Sequence, residues 1–517
     1  MSTTPIPDRA GGHADHHQRD AADLADFGYR QRLNRRLGSF SAFAAGFSFI
    51  SILTGMFQLT GFGYGFGGPA VWWAWMLVFV GQLLVALNFA ELGARFPIAG
   101  STYQWSKQVS GKAGSWLAGW MLLVGAVVTA AAVAIAWQIV LPPVWSGFEL
   151  VKNTTTNAVI LGVILLSLTT LINVVGVKVI SLVNNVGVVA ELVGVAAFLV
   201  LLPFHLHRGP GVIMSAQGAG PGLPGYHTIG YAAAFLMAAI MPAYVMFGFD
   251  SAGSLAEETR DPRRTVPKAI LRALVVAGIA GALLLLLALM AAPSLSLATL
   301  GGGGLPYVVE AALGSTLGKI LLVDVAIAIF VCGLAIQTAA IRMTFSMARD
   351  NNLPFGTALS RVSESSGSPV VPALVTGVAA AAILVVNLGA SQIFLVVTSV
   401  SVVCIYLAYL LVTVPLFRQR LRGWPSGPGQ AGLFSLGRYG LVVNAVAIVY
   451  GAGMAFNLVL PRSQIYGAGA YAWGGVIFVL GAVVLGGGYY GMVQRHRSGV
   501  LADHVAVAAP VPVGEEA

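Results

Sequence analysis

Long apolar runs follow one another along this chain, with short polar stretches between them. About twelve of these runs approach 20 residues, the length that a helix needs to cross a hydrocarbon core of about 30 Å. The runs are continuous and lack the period-two alternation of the strands in a membrane barrel. The pattern therefore predicts an all-α integral membrane protein with twelve transmembrane helices. We place these spans near residues 38–60, 71–93, 115–141, 157–175, 182–203, 228–256, 268–292, 318–347, 370–389, 391–416, 438–460 and 471–493.

Composition agrees with a chain that faces lipid. Hydrophobic residues make up 57% of the 517 residues and charged residues only 9%, whereas soluble domains carry about a quarter charged residues. So few charges cannot cover a water-soluble protein of this size, but a bilayer needs no such cover. The net charge of +9 comes from short basic clusters between apolar runs, which argues against a nucleic-acid partner. The lipid bilayer is the expected environment.

The sequence offers no parts for enzyme or metal chemistry. Both cysteines, Cys332 and Cys404, lie inside apolar runs, and no histidine or cysteine cluster has the spacing of metal ligands. We find no Walker loop, and no nucleophile and base can be paired from these spans. We therefore expect no enzyme activity, no metal and no cofactor. The glycines at 301–304 are expected to form an external loop.

The distribution of positive residues predicts the orientation. Lysine and arginine concentrate in alternate connections between spans, a bias that places both termini in the cytoplasm. The first 36 residues are polar and lack the apolar core and cleavage site of a signal peptide. We expect a multi-pass protein of the cell membrane, either inner or plasma membrane.

Two spans contain residues that interrupt helices. The first has small hydroxylated residues and Gly55 at mid-depth, and the sixth contains Pro242 and Gly248. Proline removes an amide donor, and glycine tolerates non-helical torsion angles. Backbone groups freed within lipid must be satisfied by protein, water or a bound solute. These interruptions predict either simple kinks or two broken helices that form a binding site.

Residues 247–270, which read FGFDSAGSLAEETRDPRRTVPKAI, resemble the sixth-helix signature of the amino acid-polyamine-organocation superfamily. Residues 90–103, 173–178 and 348–354 agree with the same superfamily, in order. Residues 27–29 and 82–87 resemble its amino acid/choline permease branch. The resemblance implies a leucine-transporter-like fold, in which ten helices form a five-plus-five inverted repeat with helices 1 and 6 broken. It also implies secondary transport by alternating access.

The expected organisation combines these arguments. It comprises a cytoplasmic N-terminal tail (1–36), a ten-helix inverted-repeat transport core (37–417), a cytoplasmic loop (418–437), helices 11 and 12 (438–493) and a cytoplasmic C-terminal tail (494–517).

The resemblance also implies which residues contact a substrate. In the first helix, the unwound residues that bind the substrate carboxylate would be Ser51, Ile52, Leu53, Thr54 and Gly55. Exposed amides at the start of a half-helix carry partial positive charge, so this expectation is physically sound. Relatives often have glycine at the position of Leu53, so the leucine would narrow the space for the ligand. In the sixth helix, the carbonyls offered to the substrate ammonium would come from Tyr244, Val245, Met246 and Phe247, with Gly248 allowing close approach.

Other polar residues within the spans are candidates for coupling, gating or binding. Glu191 lies in the middle of the fifth span, where burying a carboxylate costs at least about 2.5 kcal/mol. It either couples transport to protons or makes a structural hydrogen bond to helix 1 or 8. Asp250 and Glu257 are expected to cap helices or to form an inner gate. Thr129 and Gln337 are candidates for the cavity, although such residues also make interhelical hydrogen bonds.

The sequence thus predicts a permease that moves an amino acid or related amine, coupled to protons or working by exchange. Choline, polyamine and gamma-aminobutyrate permeases remain alternatives, and a channel or a non-transporting sensor would be a different class. The expected partners are a small-molecule substrate, a coupling ion, which would be the proton, and the lipid bilayer.

Overall fold

The computed structural model describes residues 24, 25, 27–31, 33, 35–216, 226–386, 388, 393–425, 432–497 and 499–505. Within these residues the regular secondary structure is helical, and two isolated β-bridges join Tyr29 to Val505 and Leu37 to Thr259. Nine helical stretches in this part of the chain are long and apolar enough to cross a membrane. The chain is therefore a helical multi-pass membrane protein, as its apolar runs predict.

The first eight helices cover the first five predicted spans. They are α1 (Ser39–Ile50), α2 (Ile52–Gly67), α3 (Val71–Arg95), α4 (Ser101–Val109), α5 (Lys112–Ala134), α6 (Trp137–Val144), α7 (Thr154–Val175) and α8 (Val177–Leu201). Helices α1 and α2 together form the first span, and α5 and α6 together form the third. Helix α4 is a short segment between the second and third spans.

The later helices follow the remaining predicted spans. They are α9 (Tyr226–Ala238), α10 (Ile240–Val245), α11 (Ser251–Ser254), α12 (Pro262–Ala291), α13 (Gly302–Arg349), α14 (Gly356–Leu359), α15 (Val370–Val386), α16 (Ile393–Leu421), α17 (Gly440–Val459), α18 (Ser463–Tyr466) and α19 (Gly474–Met492). Helices α9, α10 and α11 together form the sixth span, which is interrupted after Val245.

The expectation of a loop at 301–304 is wrong. A π-helical turn covers Leu297–Gly301, and α13 begins at Gly302 instead of near residue 318. Gly304 and Gly314 have φ angles of 57° and 75°, and the helix kinks at both. Positive φ angles suit glycine, so these two glycines interrupt the helical backbone and kink α13 near its start.

The broken helices lie at the centre of the bundle. Helix α2 packs against α13 and α10, and α1 packs against α12 and α8. Around this centre, α3 lies along α12, and α5 lies along α16 and α13. Helix α19 buries little of its surface within the protein and lies at the periphery, where lipid covers apolar side chains.

Both described ends of the chain meet at one end of the bundle, which we call the terminal face. Besides the bridge between Tyr29 and Val505, the Leu501 amide donates to the Arg349 carbonyl over 2.9 Å. The Gly499 amide donates to the Asp350 carbonyl over 3.1 Å. Residues 499–505 therefore cover the end of α13.

Candidate functional site

The first span is broken at Ser51, as expected for a broken helix 1. Ser51 has φ 33° and ψ 99°, between the end of α1 at Ile50 and the start of α2 at Ile52. The unwound part is shorter than expected, because residues 52–55 form the first turn of α2. The amides of a first helical turn have no acceptor within their own helix. One strained residue thus presents the positive end of α2 to the middle of the bundle.

The sixth span is broken between Val245 and Ser251. Helix α10 ends at Val245, and Gly248 has a φ of 83°. In a continuous helix the Gly248 amide would donate to the Tyr244 carbonyl, but here it donates to Tyr409 Oη over 3.0 Å. The Tyr244 carbonyl is therefore released from that helical bond and becomes an acceptor at the break.

The two breaks lie against each other. A Cβ atom on Gly55 would stand 2.4 Å from Val245 Cγ2, and one on Gly248 would stand 1.9 Å from Phe49 Cδ1. The Phe49 and Phe247 rings pack edge to face with centroids 5.9 Å apart. Glycine at 55 and 248 therefore lets the broken segments approach closely, which brings the sequence-predicted residues of spans one and six to one place.

The carboxylate of Glu191 lies at the start of α2. Its Oε1 accepts from Ser51 Oγ over 2.9 Å and from the Leu53 amide over 3.2 Å. Ser51 Oγ also lies 2.6 Å from Thr54 Oγ1 and accepts from the Thr54 amide over 3.3 Å. The hydrogen bond from Glu191 to helix 1, one of the two interpretations from the sequence, is present. An acidic side chain of this protein thus occupies the position predicted for a substrate carboxylate.

The side chain of Leu53 is directed toward α8. Its Cδ1 lies 3.3 Å from the place of a Cβ on Gly194, so the leucine fills the space that this glycine leaves. The Leu53 side chain is therefore accommodated by Gly194.

A buried hydroxyl at the site is without a bond to the protein. Tyr244 is buried, and its Oη has no hydrogen-bond partner among the described residues. Nearby on α13, Cys332 Sγ donates to the Phe49 carbonyl over 3.6 Å. Because buried hydroxyls normally have partners, the free Tyr244 hydroxyl is a candidate for contact with a bound solute.

Asp250 joins the second break to two other elements. Its Oδ2 accepts from Ser101 Oγ and Thr102 Oγ1 of α4, each over 2.9 Å. Its Oδ1 accepts from Tyr409 Oη of α16 over 2.5 Å. The carboxylate is thus stabilised by three hydroxyls, and it ties α4 and α16 to the broken sixth span.

Two buried ion pairs lie between this break and the terminal face. Arg349 Nη1 is 2.9 Å from Glu257 Oε1, and Arg342 Nε is 2.8 Å from Glu258 Oε1. The acids come from the turn after α11, and the arginines come from α13. The pairs therefore hold the end of the sixth span against α13, in the place where an inner gate was expected.

A third ion pair lies at the terminal face. Lys107 Nζ is 2.8 Å from Asp350 Oδ2 and donates to Tyr29 Oη over 2.7 Å. Partial burial lowers the pKa of Lys107, but the Asp350 carboxylate and the Tyr29 phenol outweigh it, so the net pKa is raised. The ammonium therefore stays charged at physiological pH.

Thr129 and Gln337, the two candidates for the cavity, make hydrogen bonds to other protein groups. The Thr129 hydroxyl donates to the Gly125 carbonyl of its own helix over 2.7 Å. The Gln337 amide donates to Thr170 of α7 over 2.6 Å, and it lies 3.0 Å from the place of a Cβ on Gly377 of α15. Gln337 therefore faces α7 and α15 and not the breaks, because it lies on the opposite side of α13 from Cys332.

Comparison with known proteins finds similar sequences over most of the chain. The sequence profile of a family described as amino acid permease matches residues 37–484. The amino-acid permease BAT1 of Arabidopsis thaliana is 26% identical over 465 residues, covering 85% of this chain and 88% of the relative. A putative amino acid/polyamine transporter of Macrophomina phaseolina is 26% identical, covering 78% of this chain and 91% of the relative. The branched-chain amino acid permease BcaP of Bacillus subtilis is 27% identical, covering 47% of this chain and 52% of the relative.

Proposed function

The chain belongs to the amino acid permease family, and from that premise we propose that it is a proton-coupled amino acid symporter. It works by alternating access in a twelve-helix, five-plus-five inverted-repeat fold, with the terminal face in the cytoplasm. The two adjacent breaks in spans one and six support this layout. So does the pairing of α3 with α12 and of α5 with α13, which would be corresponding helices of the two repeats.

The observation that carries the proposal is the Glu191 carboxylate on the first turn of α2. The start of a half-helix attracts an anion, and two carboxylates in one desolvated place repel each other. A substrate carboxylate can therefore bind the Ser51 and Leu53 donors only when Glu191 is protonated or withdrawn. We propose the first route: Glu191 stays at α2 and takes up one proton when one amino acid binds, which couples the two.

The other end of the substrate would bind at the second break. The Tyr244 carbonyl, released from its helical bond, would accept from the substrate ammonium together with the carbonyls of residues 245–247. The free Tyr244 hydroxyl supplies a further polar group. Both broken segments thus bind one solute, with its carboxylate on α2 and its ammonium on α10.

The test is uptake into proteoliposomes by the unaltered protein and by Glu191→Gln. A panel of L-leucine, L-alanine, L-lysine, L-glutamate, gamma-aminobutyrate, putrescine and choline identifies the substrate. We expect a proton gradient directed into the proteoliposomes to drive uptake by the unaltered protein. Glu191→Gln keeps the size of the side chain but carries no exchangeable acid proton, so it should retain counterflow and lose the response to the gradient.

A neighbouring acid provides the matched control. Asp324 of α13 lies beside Gly194, since a Cβ there would stand 1.7 Å from Asp324 Oδ2. Asp324→Asn removes a carboxylate close to Glu191 without touching the start of α2, so it should keep gradient-driven uptake. Coupling through Glu191 would be contradicted if Glu191→Gln kept full gradient-driven uptake. It would also be contradicted if Asp324→Asn lost gradient-driven uptake to the same extent as Glu191→Gln.

A second candidate function is transport of an amine without a carboxylate. In that case Glu191 itself would bind the substrate cation, and one relative is named as an amino acid/polyamine transporter. Uptake of putrescine or choline in preference to every amino acid would favour this function. A channel would show no counterflow, and a sensor would bind a panel member without transporting it.

A further inference from the structure

We propose that a small cavity between the breaks and the terminal face is a second binding place for the substrate carboxylate, with Arg342 as its cation. This inference rests on the proposed function, because it assumes a substrate that carries a carboxylate. The cavity has a volume of about 30 Å³. Its polar lining comes from four elements and comprises Ser41, Ser181, Asn184, Ser251, Thr338 and Arg342, beside Glu258. We call it the release cavity.

Arg342 lines the release cavity and carries a donor that bonds no described protein group. Its side chain is only 1% exposed, and it binds Glu258 through Nε over 2.8 Å and through Nη2 over 3.3 Å. Its Nη1 makes no hydrogen bond within the part of the chain that the structure describes. A guanidinium presents five N–H donors in a planar fork, and Glu258 occupies only one edge of it. The remaining edge matches a carboxylate.

Asn184 supplies a second polar group without a partner. It lines the same cavity from α8, is 6% exposed, and its Oδ1 has no hydrogen-bond partner in the described ranges. A side-chain amide can donate or accept, so it suits either edge of a carboxylate that Arg342 holds. Two buried and unsatisfied polar atoms on residues that line one cavity are unusual in a protein interior.

The position of the release cavity fits the path of a leaving substrate. Arg342 is ten residues after Cys332 on α13, or about 15 Å along the helix, and Cys332 contacts the first break through the Phe49 carbonyl. Ala335, Thr338 and Arg342, which line the cavity, follow Cys332 along α13 within the next three turns. On α8, Asn184 precedes Glu191 by two turns. A solute that moves from the breaks to the terminal face therefore passes Arg342 and Asn184.

The size of the cavity indicates when it is used. About 30 Å³ is the room of one water molecule, so a whole amino acid does not fit while α1 stays in place. Leu37, Ser41 and Ala45 line the cavity on the side of α1. Displacement of α1 would widen it, so Arg342 would hold the carboxylate only while the protein opens to the terminal face. It would act on the cytoplasmic side of the transport cycle alone.

The test compares the two sides of the membrane, using right-side-out and inside-out vesicles. The probes are the amino acid that the unaltered protein transports best and the carboxamide of that amino acid. Asn184→Asp places a fixed carboxylate beside Arg342 and leaves the ion pair with Glu258 in place. We expect it to raise KM for the amino acid about tenfold on the cytoplasmic side, because a like charge then opposes the substrate. KM on the outer side and KM for the carboxamide should change less than about twofold.

Two further variants keep the test decisive. Asn185→Asp makes the same change one residue away, where the side chain bonds Ser41 but does not line the cavity, and it should leave the cytoplasmic KM unchanged. Asn184→Leu removes the polar group without adding charge, and it should raise the cytoplasmic KM about threefold. This variant still tests the role of Asn184 if Asn184→Asp does not fold. An unchanged cytoplasmic KM, or equal effects on acid and carboxamide, overturns the inference while the proposed function stands. Absence of amino acid uptake by the unaltered protein overturns the proposed function itself.

Discussion

Gly55 marks the point where the two broken helices touch, so adding a single methyl group there tests the arrangement directly. In Gly55→Ala the new Cβ would stand 2.4 Å from Val245 Cγ2, 3.1 Å from Cγ1 and 3.2 Å from Cβ. Carbon atoms in contact normally lie about 3.5–4.0 Å apart, so the overlap exceeds 1 Å. Rotation of Val245 cannot relieve it, because its Cβ is also too close. Helices α2 and α10 must therefore separate.

The magnitude follows from the cost of overpacking. An extra methyl group in a packed interior destabilises by about 1–3 kcal/mol, which corresponds to roughly 5- to 150-fold in an equilibrium constant. We expect Gly55→Ala to lower the thermal midpoint of the purified protein and to raise KM for the transported amino acid. The change at residue 55 alters both properties because the same contact positions the first turn of α2 and the end of α10.

A double-mutant cycle provides the control. Val245→Ala removes both Cγ atoms, so the added methyl group of Gly55→Ala then has only one close neighbour, the residue 245 Cβ at 3.2 Å. The double variant should therefore recover most of the lost stability, with a coupling energy of about 1 kcal/mol or more. Additive effects of the two substitutions, or a Gly55→Ala protein with unchanged thermal midpoint and KM, would refute the close contact of the two breaks.

Two further predictions concern the Tyr409 hydroxyl at the second break and the ion pair at the terminal face. Tyr409→Phe removes the hydroxyl that donates to Asp250 and accepts from the Gly248 amide. It should destabilise the protein by about 1–3 kcal/mol and slow counterflow. Unchanged counterflow and thermal midpoint would contradict a role for these two hydrogen bonds. Lys107→Met removes the ion pair between a partly exposed lysine and the buried Asp350 carboxylate, and it should cost about 1–3 kcal/mol. The raised pKa of Lys107 keeps this pair formed below the ordinary lysine pKa, and the pair weakens only as pH rises through the raised value. The difference in thermal midpoint between Lys107→Met and the unaltered protein should therefore be constant from pH 6 to 9. A difference that varies with pH in this range would show that another group controls the pair.

The helices and their interruptions could be predicted because local sequence determines them. Continuous apolar runs give the spans, and Gly248 marks the sixth-span break through its own torsional properties, whereas Pro242 lies within α10. The extent of the first break was not predictable in the same way. Ser51 alone leaves the helix, because its hydroxyl and the Glu191 carboxylate satisfy the first turn of α2 and let residues 52–55 remain helical.

The partners at the site were beyond the reach of sequence patterns because they come from distant helices. Tyr409 on α16, Cys332 on α13 and the arginines paired with Glu257 and Glu258 have no local signal that links them to the breaks. Glu191 could be singled out, since a carboxylate at mid-span is costly, but its position on α2 depends on how α8 packs. Gln337 shows the converse, since its polarity made it a candidate although its helix turns it toward α7.

The meeting of the first and last described segments at the terminal face has a practical consequence for how the protein is handled. The bridge between Tyr29 and Val505 lies over residues 349 and 350, which form ion pairs at the end of α13. In the proposed transport cycle this segment moves aside when the terminal face opens, so a purification handle or fluorescent fusion attached close to either bridge partner would hinder that movement. Reporter groups are better inserted in the connection between α17 and α19, which is remote from that movement, and rates measured with a terminal fusion should be compared with those of the cleaved protein.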